Sequence, residues 1–209
     1  DVLLSPASLD VAFNAVKSAV QGGTIPMSRL DQAVTRILGL KYRYGLFGNP
    51  YVDPSQADPI VGSPEHWATE LNAARLGATL VKNASSILPL NYLTSGQKIL
   101  LVTVQASETT TDAGTRFASY ITAKHSNTQS LTMTANPTSS QRTTIKTAAG
   151  TAYMVIVGTS RAQLSANVGQ ANLVNELLAM GKPVVVVGLR EPYELGSFPG
   201  VNAYLAAYN

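Results

Sequence analysis

The sequence has no cysteine among its 209 residues. Disulfides, thiolate metal sites and a cysteine nucleophile are therefore excluded. Charged residues are also scarce, at 13%, and the formal net charge is only +3. The 15 Lys and Arg residues are scattered along the chain. Because nucleic-acid binding needs a basic face, we expect no nucleic-acid partner.

Long apolar runs are missing as well. The longest are strand-sized, at residues 152–157 and 184–189, whereas a membrane helix needs about 20 apolar residues. We therefore expect no transmembrane segment. The many Ser, Thr, Asn and Gln residues beside few charges favour a secreted or cell-envelope protein, with the cytoplasm as the alternative.

Several signatures of enzyme chemistry are also absent. No G-x-S-x-G elbow, G-x-G-x-x-G turn or P-loop occurs, which argues against triad hydrolases and against dinucleotide or nucleotide sites. The only histidines, His66 and His125, lie far apart in the sequence, so neither has a second histidine at ligand spacing. We therefore expect structural roles for both, no metal site and no cofactor.

The first 45 residues predict a strand followed by two helices. The apolar run Val2-Leu3-Leu4 predicts a short strand, and Ser5-Pro6 is typical of a helix start. Apolar residues at helical spacing follow until Gly22-Gly23, and a second helix is predicted from Ser28, where a capping box can form with Asp31. Because one strand cannot bury its own faces, this segment should complete a sheet or barrel built elsewhere.

Residues 46–64 are rich in Pro and Gly and lack periodicity, so they predict a linker. Ser63-Pro64 then predicts a third helix. Further along, strands are predicted at 98–104, 130–134, 152–157, 184–189 and 201–208, and helices at 112–124, 139–148 and 167–180. This alternation predicts an α/β domain over residues 65–209, a three-layer αβα sandwich with a mainly parallel sheet.

The loop after the strand at 184–189 carries the best-placed acidic candidates, Glu191 and Glu194, and the best candidates for ligand binding. In open α/β sheets, ligands bind beyond the carboxyl ends of the strands. Arg190 can hold a hydroxyl, carboxylate or phosphate there, and Tyr193 can stack on a sugar. The alternative is structural: Arg190 pairs with a nearby carboxylate, and Glu191-Pro192 opens a short helix.

Several stretches carry a family resemblance: Asp1–Pro6, Gly23–Pro26, Arg36–Lys41, Gly45–Phe47, Ala73–Asn83, Leu88–Leu90 and Leu189–Tyr193. In this order and spacing they resemble glycoside hydrolase family 3, nearest its bacterial β-N-acetylglucosaminidase branch. The resemblance implies that residues 1–45 are the last strand and helices of a (β/α)8 TIM-type barrel. It also implies that 46–64 is the linker and 65–209 the sandwich, truncated at its end.

The same resemblance implies a retaining exo-glycosidase that removes terminal β-linked N-acetylglucosamine through an aspartate nucleophile. In this branch the acid/base is a histidine on a barrel loop, and in the glucosidase branch it is a glutamate of the second domain. Neither the nucleophile motif nor the histidine loop occurs here. No catalytic residue is therefore assigned, and both are expected upstream of residue 1. The segment alone should be inactive.

The implied partners are a β-linked amino-sugar substrate, with Arg190 and Tyr193 as substrate-binding residues, and the missing amino-terminal barrel segment. Two alternatives stay open. One is a β-glucosidase of the same family, and the other is a non-catalytic carbohydrate-binding or scaffold domain, since a fold does not fix a function.

Overall fold

The structure is a computed structural model that describes residues 1–105 and 113–208. The chain divides into two compact units, Asp1–His66 and Trp67–Asn209, which are treated separately. Asp112, where the helix at 112–124 was predicted to begin, lies outside the described residues.

The first unit is helical and contains α1 (Leu9–Gln21), α2 (Met27–Arg43) and the short α3 (Ala57–Val61). The two predicted helices are confirmed, but their predicted caps are wrong. Ser8, not Ser5, caps α1, because its hydroxyl accepts the Val11 amide at 3.4 Å. The extended backbone of Pro26 starts α2 one residue earlier than predicted, so Ser28 lies inside the helix and forms no capping box.

The predicted strand at Val2-Leu3-Leu4 is wrong for the chain as it stands. Residues 1–8 have no strand geometry, and Val2 and Leu4 are 75% and 91% exposed. No strand occurs anywhere in residues 1–66. A strand is stabilised by hydrogen bonds to a neighbouring strand, so without that neighbour the run stays irregular.

The second unit alternates strands and helices as predicted. Helix α4 (Pro64–Gly77), which crosses the division between the units, begins where the Ser63 hydroxyl accepts the His66 amide at 3.2 Å. The remaining elements are β1 (Thr79–Asn83), β2 (Ile99–Val104), α5 (Ala113–Lys124), β3 (Thr128–Met133), α6 (Ser139–Gly150), β4 (Met154–Thr159), α7 (Val168–Ala179), β5 (Val184–Gly188) and β6 (Ala203–Ala206).

The six strands form one sheet in the order β1-β6-β5-β4-β2-β3. Every neighbouring pair is parallel except β1 with β6. The mainly parallel sheet is therefore confirmed. The antiparallel β1 lies at one edge, and β2, β4 and β5 lie inside the sheet, which explains their continuous apolar sequences.

Alternate strand residues face two separate cores. Leu100, Val102 and Val155 lie in a core with residues of α6 and α7, among them Ile145 and Leu173. On the other face, Ile99, Leu101, Met154 and Ile156 pack against residues of α5 and of the segment 87–93. Helices therefore flank both faces of the sheet, as the prediction of an αβα sandwich required.

Candidate functional site

Strands β4 and β5 end side by side, and this fixes where the loops after them lie. Thr159 at the end of β4 is in register with Gly188 at the end of β5. The Leu189 amide continues the pairing by donating to the Thr159 carbonyl at 2.8 Å. The loops 159–163 and 189–194 consequently start at the same point of the sheet, and we call them together the β4–β5 edge.

A completely buried carboxyl group, Glu194, joins the two loops of the β4–β5 edge. It accepts hydrogen bonds from the Thr159 hydroxyl and from the Ala162 amide, the latter at 3.0 Å. Burial raises the pKa of Glu194, and these hydrogen bonds only partly oppose the effect. The loop after β4 is thus held on a side chain from the loop after β5.

Gly188 is required by the close packing under this carboxyl group. A Cβ at this position would overlap the hydroxyl of the buried Tyr204 and would lie 3.1 Å from Glu194 Oε2. The Tyr204 hydroxyl donates to the Glu191 carbonyl at 3.2 Å, which fixes the backbone of the second loop as well. Only glycine lets the strand end pass so close to both groups.

Gln170 on α7 fixes the first loop from behind. It is fully buried, and its Oε1 accepts the Ser160 amide at 3.0 Å. Its Nε2 donates to the carbonyls of Ser160 at 3.0 Å and Ala135 at 2.9 Å. One amide side chain therefore satisfies three backbone groups in the segments that follow β3 and β4.

The loop after β4 presents Arg161 in a constrained conformation. Its φ of 55° lies in the left-handed region, which residues other than glycine seldom adopt. Its Nε donates to Glu191 Oε1 at 2.8 Å, while Gln163 Nε2 donates to Glu191 Oε2 at 2.7 Å. The hydrogen bonds from Arg161 and then Gln163 lower the pKa of Glu191, so this carboxylate is ionised at neutral pH.

The two residues predicted to bind substrate lie on the second loop of this edge. Arg190 is exposed, and Tyr193 is 75% exposed. Within residues 1–105 and 113–208, no carboxylate forms an ion pair with Arg190, because Glu191 is bonded to Arg161 instead. The structural alternative also predicted that Glu191-Pro192 opens a short helix. This helix occurs, as a 3-10 helix at Pro192–Ser197. The substrate-binding role of both residues stays a prediction.

Sequence reasoning missed Arg161 and Gln163, whereas it noted Glu191 and Glu194 as acidic candidates in the loop after β5. The rule that singled out the loop after β5 also applies to the loop after β4, and would have drawn attention to Arg161 and Gln163. Nothing in the sequence distinguishes Glu194 as buried, since burial depends on the packing of Thr159 and Tyr204 around it.

In the part of the chain that the structure describes, no three His, Asp or Glu side chains come close enough together to hold a metal ion. His125 Nε2 lies 2.8 Å from the Gln97 carbonyl, next to the end of α5. Within the same described residues, no helix is long and apolar enough to cross a membrane.

A separate cavity lies within the first unit. It has a volume of about 650 Å³ and a mainly apolar lining that includes Leu3, Phe13 and Leu30. At its polar side, the Asp1 carboxylate forms ion pairs with Arg29 at 2.6 Å and Arg36 at 3.0 Å. These contacts hold the irregular first residues against α2.

Comparisons of the sequence with known proteins identify glycosidases. No family model matches the chain. The lysosomal β-glucosidase of Dictyostelium discoideum is 41% identical over 90 residues, which are 42% of this chain and 11% of that protein. A β-N-acetylglucosaminidase/β-glucosidase of Cellulomonas fimi is 36% identical over 90 residues, 43% of this chain and 16% of that protein. The matched stretch thus spans less than one fifth of either relative.

Comparisons of the structure identify the same class of protein. A glycoside hydrolase family 3 β-N-acetylglucosaminidase from Paenibacillus superposes with a TM-score of 0.68 at 24% identity, over 96% of this chain and 38% of that one. The β-glucoside phosphorylase BglX gives a TM-score of 0.60 at 21% identity, over 94% of this chain and 36% of that one. At these identities the likeness establishes the fold.

The relatives act on both of the sugars considered, glucose and N-acetylglucosamine, according to their names. They include β-glucosidases and a bifunctional enzyme, and they come from Dictyostelium as well as bacteria, so the bacterial branch stays a prediction. The chain covers only part of each of these proteins. Its sequence relatives are β-glucosidases and a β-N-acetylglucosaminidase/β-glucosidase, and its α/β fold is similar to part of a solved family 3 β-N-acetylglucosaminidase.

Proposed function

We propose that this chain is the carboxy-terminal part of a retaining exo-glycosidase that hydrolyses terminal β-linked N-acetylglucosamine. The observation that carries the proposal is the superposition of 96% of the chain on a β-N-acetylglucosaminidase of family 3. The chain corresponds to only 38% of that protein, which leaves room for a preceding barrel that holds the nucleophile and the acid/base.

Residues 1–45 would supply the last strand and helices of that barrel. The apolar face they leave uncovered supports this role, since Val2, Leu3, Leu9 and Phe13 are each more than 60% exposed. Large apolar side chains concentrated in one segment mark a surface that another element covers. In a barrel, Val2-Leu3-Leu4 would gain the neighbouring strands that it lacks here.

Neither glutamate of the β4–β5 edge has the geometry of an acid/base. The glucosidase branch requires an acid/base glutamate from the second domain. Glu194 has the raised pKa of a general acid but is completely buried, so no leaving group can reach it. Glu191 is partly exposed, but its pKa is lowered and both its oxygens already accept hydrogen bonds.

Arg190 and Tyr193 would bind the substrate from the second domain. Their exposure at the carboxyl ends of parallel strands is the position at which open α/β sheets bind ligands. A tyrosine ring offers a flat apolar surface to a sugar face, and an arginine donates to its hydroxyl or amide oxygens. We further propose a secreted or envelope location, which the periplasmic β-glucosidase of Salmonella typhimurium among the relatives supports.

The proposal is tested by comparing two polypeptides from the same gene, the 209-residue chain and a longer one that includes the proposed barrel. We expect the longer polypeptide to hydrolyse p-nitrophenyl N-acetyl-β-glucosaminide faster than p-nitrophenyl β-glucoside. The 209-residue chain alone should hydrolyse neither, because we place the nucleophile on the barrel. Turnover by the chain alone would contradict the proposal.

The β-glucosidase is the second candidate, and the names of the relatives favour it, since most of them are β-glucosidases. The same assay separates the two candidates, because a β-glucosidase would prefer the glucoside. A longer polypeptide that hydrolyses neither substrate would favour the non-catalytic carbohydrate-binding domain.

A further inference from the structure

We propose that Arg161 and Arg190 together bind a carboxylate group on the saccharide, so that the ligand of the β4–β5 edge is an acidic saccharide. This inference rests on the proposed function, because it takes this edge to face the substrate. It names the chemical class of the substrate, which the comparisons leave open.

The first support is the free donor capacity of Arg161. Its side chain is 40% exposed, and only its Nε is used, in the bond to Glu191 Oε1. Among the described residues, none accepts a hydrogen bond from its two terminal nitrogens. Four N–H groups therefore remain for a ligand, in the planar arrangement that holds a carboxylate through two parallel hydrogen bonds.

The second support is the charge balance of the edge. Arg161 and Arg190 are two permanent cations, and both lower the pKa of the single ionised carboxylate between them, Glu191. The other acid of these two loops, Glu194, is completely buried and accepts hydrogen bonds from Thr159 and Ala162, so it offers no oxygen to a ligand at the surface. Among the described residues of these two loops, two arginines thus stand against one exposed carboxylate, and this excess of positive charge favours an anionic ligand.

The third support is the rigidity with which Arg161 is held. The left-handed backbone at this residue is unfavourable for a side chain larger than glycine. The Glu194 carboxyl group holds the next amide, that of Ala162, and Asn167 Nδ2 donates to the Arg161 carbonyl at 3.3 Å. A strained, braced arginine at a strand end is typical of a pre-positioned binding group.

The test compares two ligands of nearly equal shape, N-acetylmuramic acid and its methyl ester, on the 209-residue chain. Each is titrated at low salt, and binding is followed by isothermal calorimetry and by amide NMR shifts. We expect the acid to bind at least about fivefold more tightly than the ester, because only the acid offers a carboxylate to the guanidinium groups. The acid should also shift the amide signals of residues 160–163 and 189–193.

Two variants decide whether these arginines are responsible. Arg161→Gln and Arg190→Gln should each reduce the preference for the acid, and together they should abolish it. Arg190 has no ion pair in the described structure, so its variant should fold even if Arg161→Gln proves unstable. The matched control is Arg142→Gln on α6, whose guanidinium pairs with Glu176, and this variant should keep the full preference.

The outcomes separate this inference from the proposed function. If the acid and the ester bind equally well, or if the preference survives the double variant, the carboxylate site is wrong and the saccharide-binding role stands. If N-acetylglucosamine, the acid and the ester all fail to bind, the substrate-binding role of the edge is wrong and this inference falls with it.

Discussion

Glu194 is the residue on which the geometry of the candidate site depends most. A carboxyl group is costly to bury, and this one is tolerated because the Thr159 hydroxyl and the Ala162 amide donate to it. It has no access to solvent and therefore acts by holding the loop that carries Arg161. We assign it a positioning role, distinct from substrate contact.

The raised pKa of Glu194 makes a prediction about pH. In the unfolded chain this group has the pKa of a solvent-exposed glutamate, 4.5, while in the folded chain its pKa is raised and it stays protonated to higher pH. As pH rises from 4.5 through the folded-state pKa, the folded state therefore loses stability relative to the unfolded state. Glu194→Gln removes that loss, so the stability of the variant relative to the wild type should increase with pH.

Urea unfolding between about pH 4.5 and pH 8 measures this change in relative stability. Glu70→Gln on the exposed face of α4 is the matched control and should show no such trend. A difference between Glu194→Gln and wild type that stays constant across this range, or that decreases with pH, would mean that Glu194 is ionised in the folded protein.

The individual site residues show what sequence can and cannot reveal. Arg190 and Tyr193 were singled out because they directly follow a strongly β-branched run, and the structure does place them at the end of β5. The partner of Glu191 could not be deduced, since Arg161 lies 30 positions away. Their contact depends on the register of β4 with β5, which only the folded sheet determines.

At the scale of elements, the site is two loops joined by side chains from elsewhere. Parallel strands leave their carboxyl ends without a tight turn, so the loops after β4 and β5 need other hydrogen-bond partners. Gln170 on α7 forms hydrogen bonds with both the amide and the carbonyl of Ser160, and Glu194 accepts the hydrogen bond of the Ala162 amide. The helix and the two loops therefore form one rigid arrangement at the β4–β5 edge.

Gln170→Ala should disrupt this arrangement. The substitution leaves the Ser160 amide and the Ser160 and Ala135 carbonyls without their partner in a buried place. We expect a loss of about 1–3 kcal/mol in the free energy of unfolding, together with faster hydrogen exchange at the Ser160 amide. Asn175→Ala on the exposed side of α7 removes a single bond to the Ser197 carbonyl and should cost less. Equal costs would contradict the bracing role of Gln170.

Most elements could be predicted from sequence because their patterns reflect burial. The runs that became β2, β4 and β5 are almost entirely apolar because both faces of these strands are covered. The helix starts were harder to predict. At α2 a proline in extended conformation set the boundary, and at α1 the serine nearer the apolar stripe formed the cap.

At the scale of the whole molecule, the two units differ in how completely their apolar residues are buried. The second unit encloses two apolar cores around its sheet. In the first unit no residue of α1 or α2 is buried, although both helices have apolar stripes. Apolar stripes of this kind evolve against a partner surface, and the proposed barrel is such a surface.

The wrong strand prediction at Val2-Leu3-Leu4 fits the same view. The sequence pattern predicts the structure that a segment favours when its partners are present. Without a neighbouring strand, the same segment stays irregular in this chain. The apolar run has β character, but nothing in residues 1–66 can pair with it. Its completion as a barrel strand is therefore the central claim of the proposed function.

Hydrogen exchange at the amides of Val2, Leu3 and Leu4 tests that claim most directly. The measurement compares the 209-residue chain with the longer polypeptide that includes the proposed barrel. We predict rapid exchange in the chain alone, where these residues are exposed and irregular, and strong protection in the longer polypeptide, where they would pair with barrel strands. Equally rapid exchange in both polypeptides would contradict the barrel, and with it the glycosidase proposal.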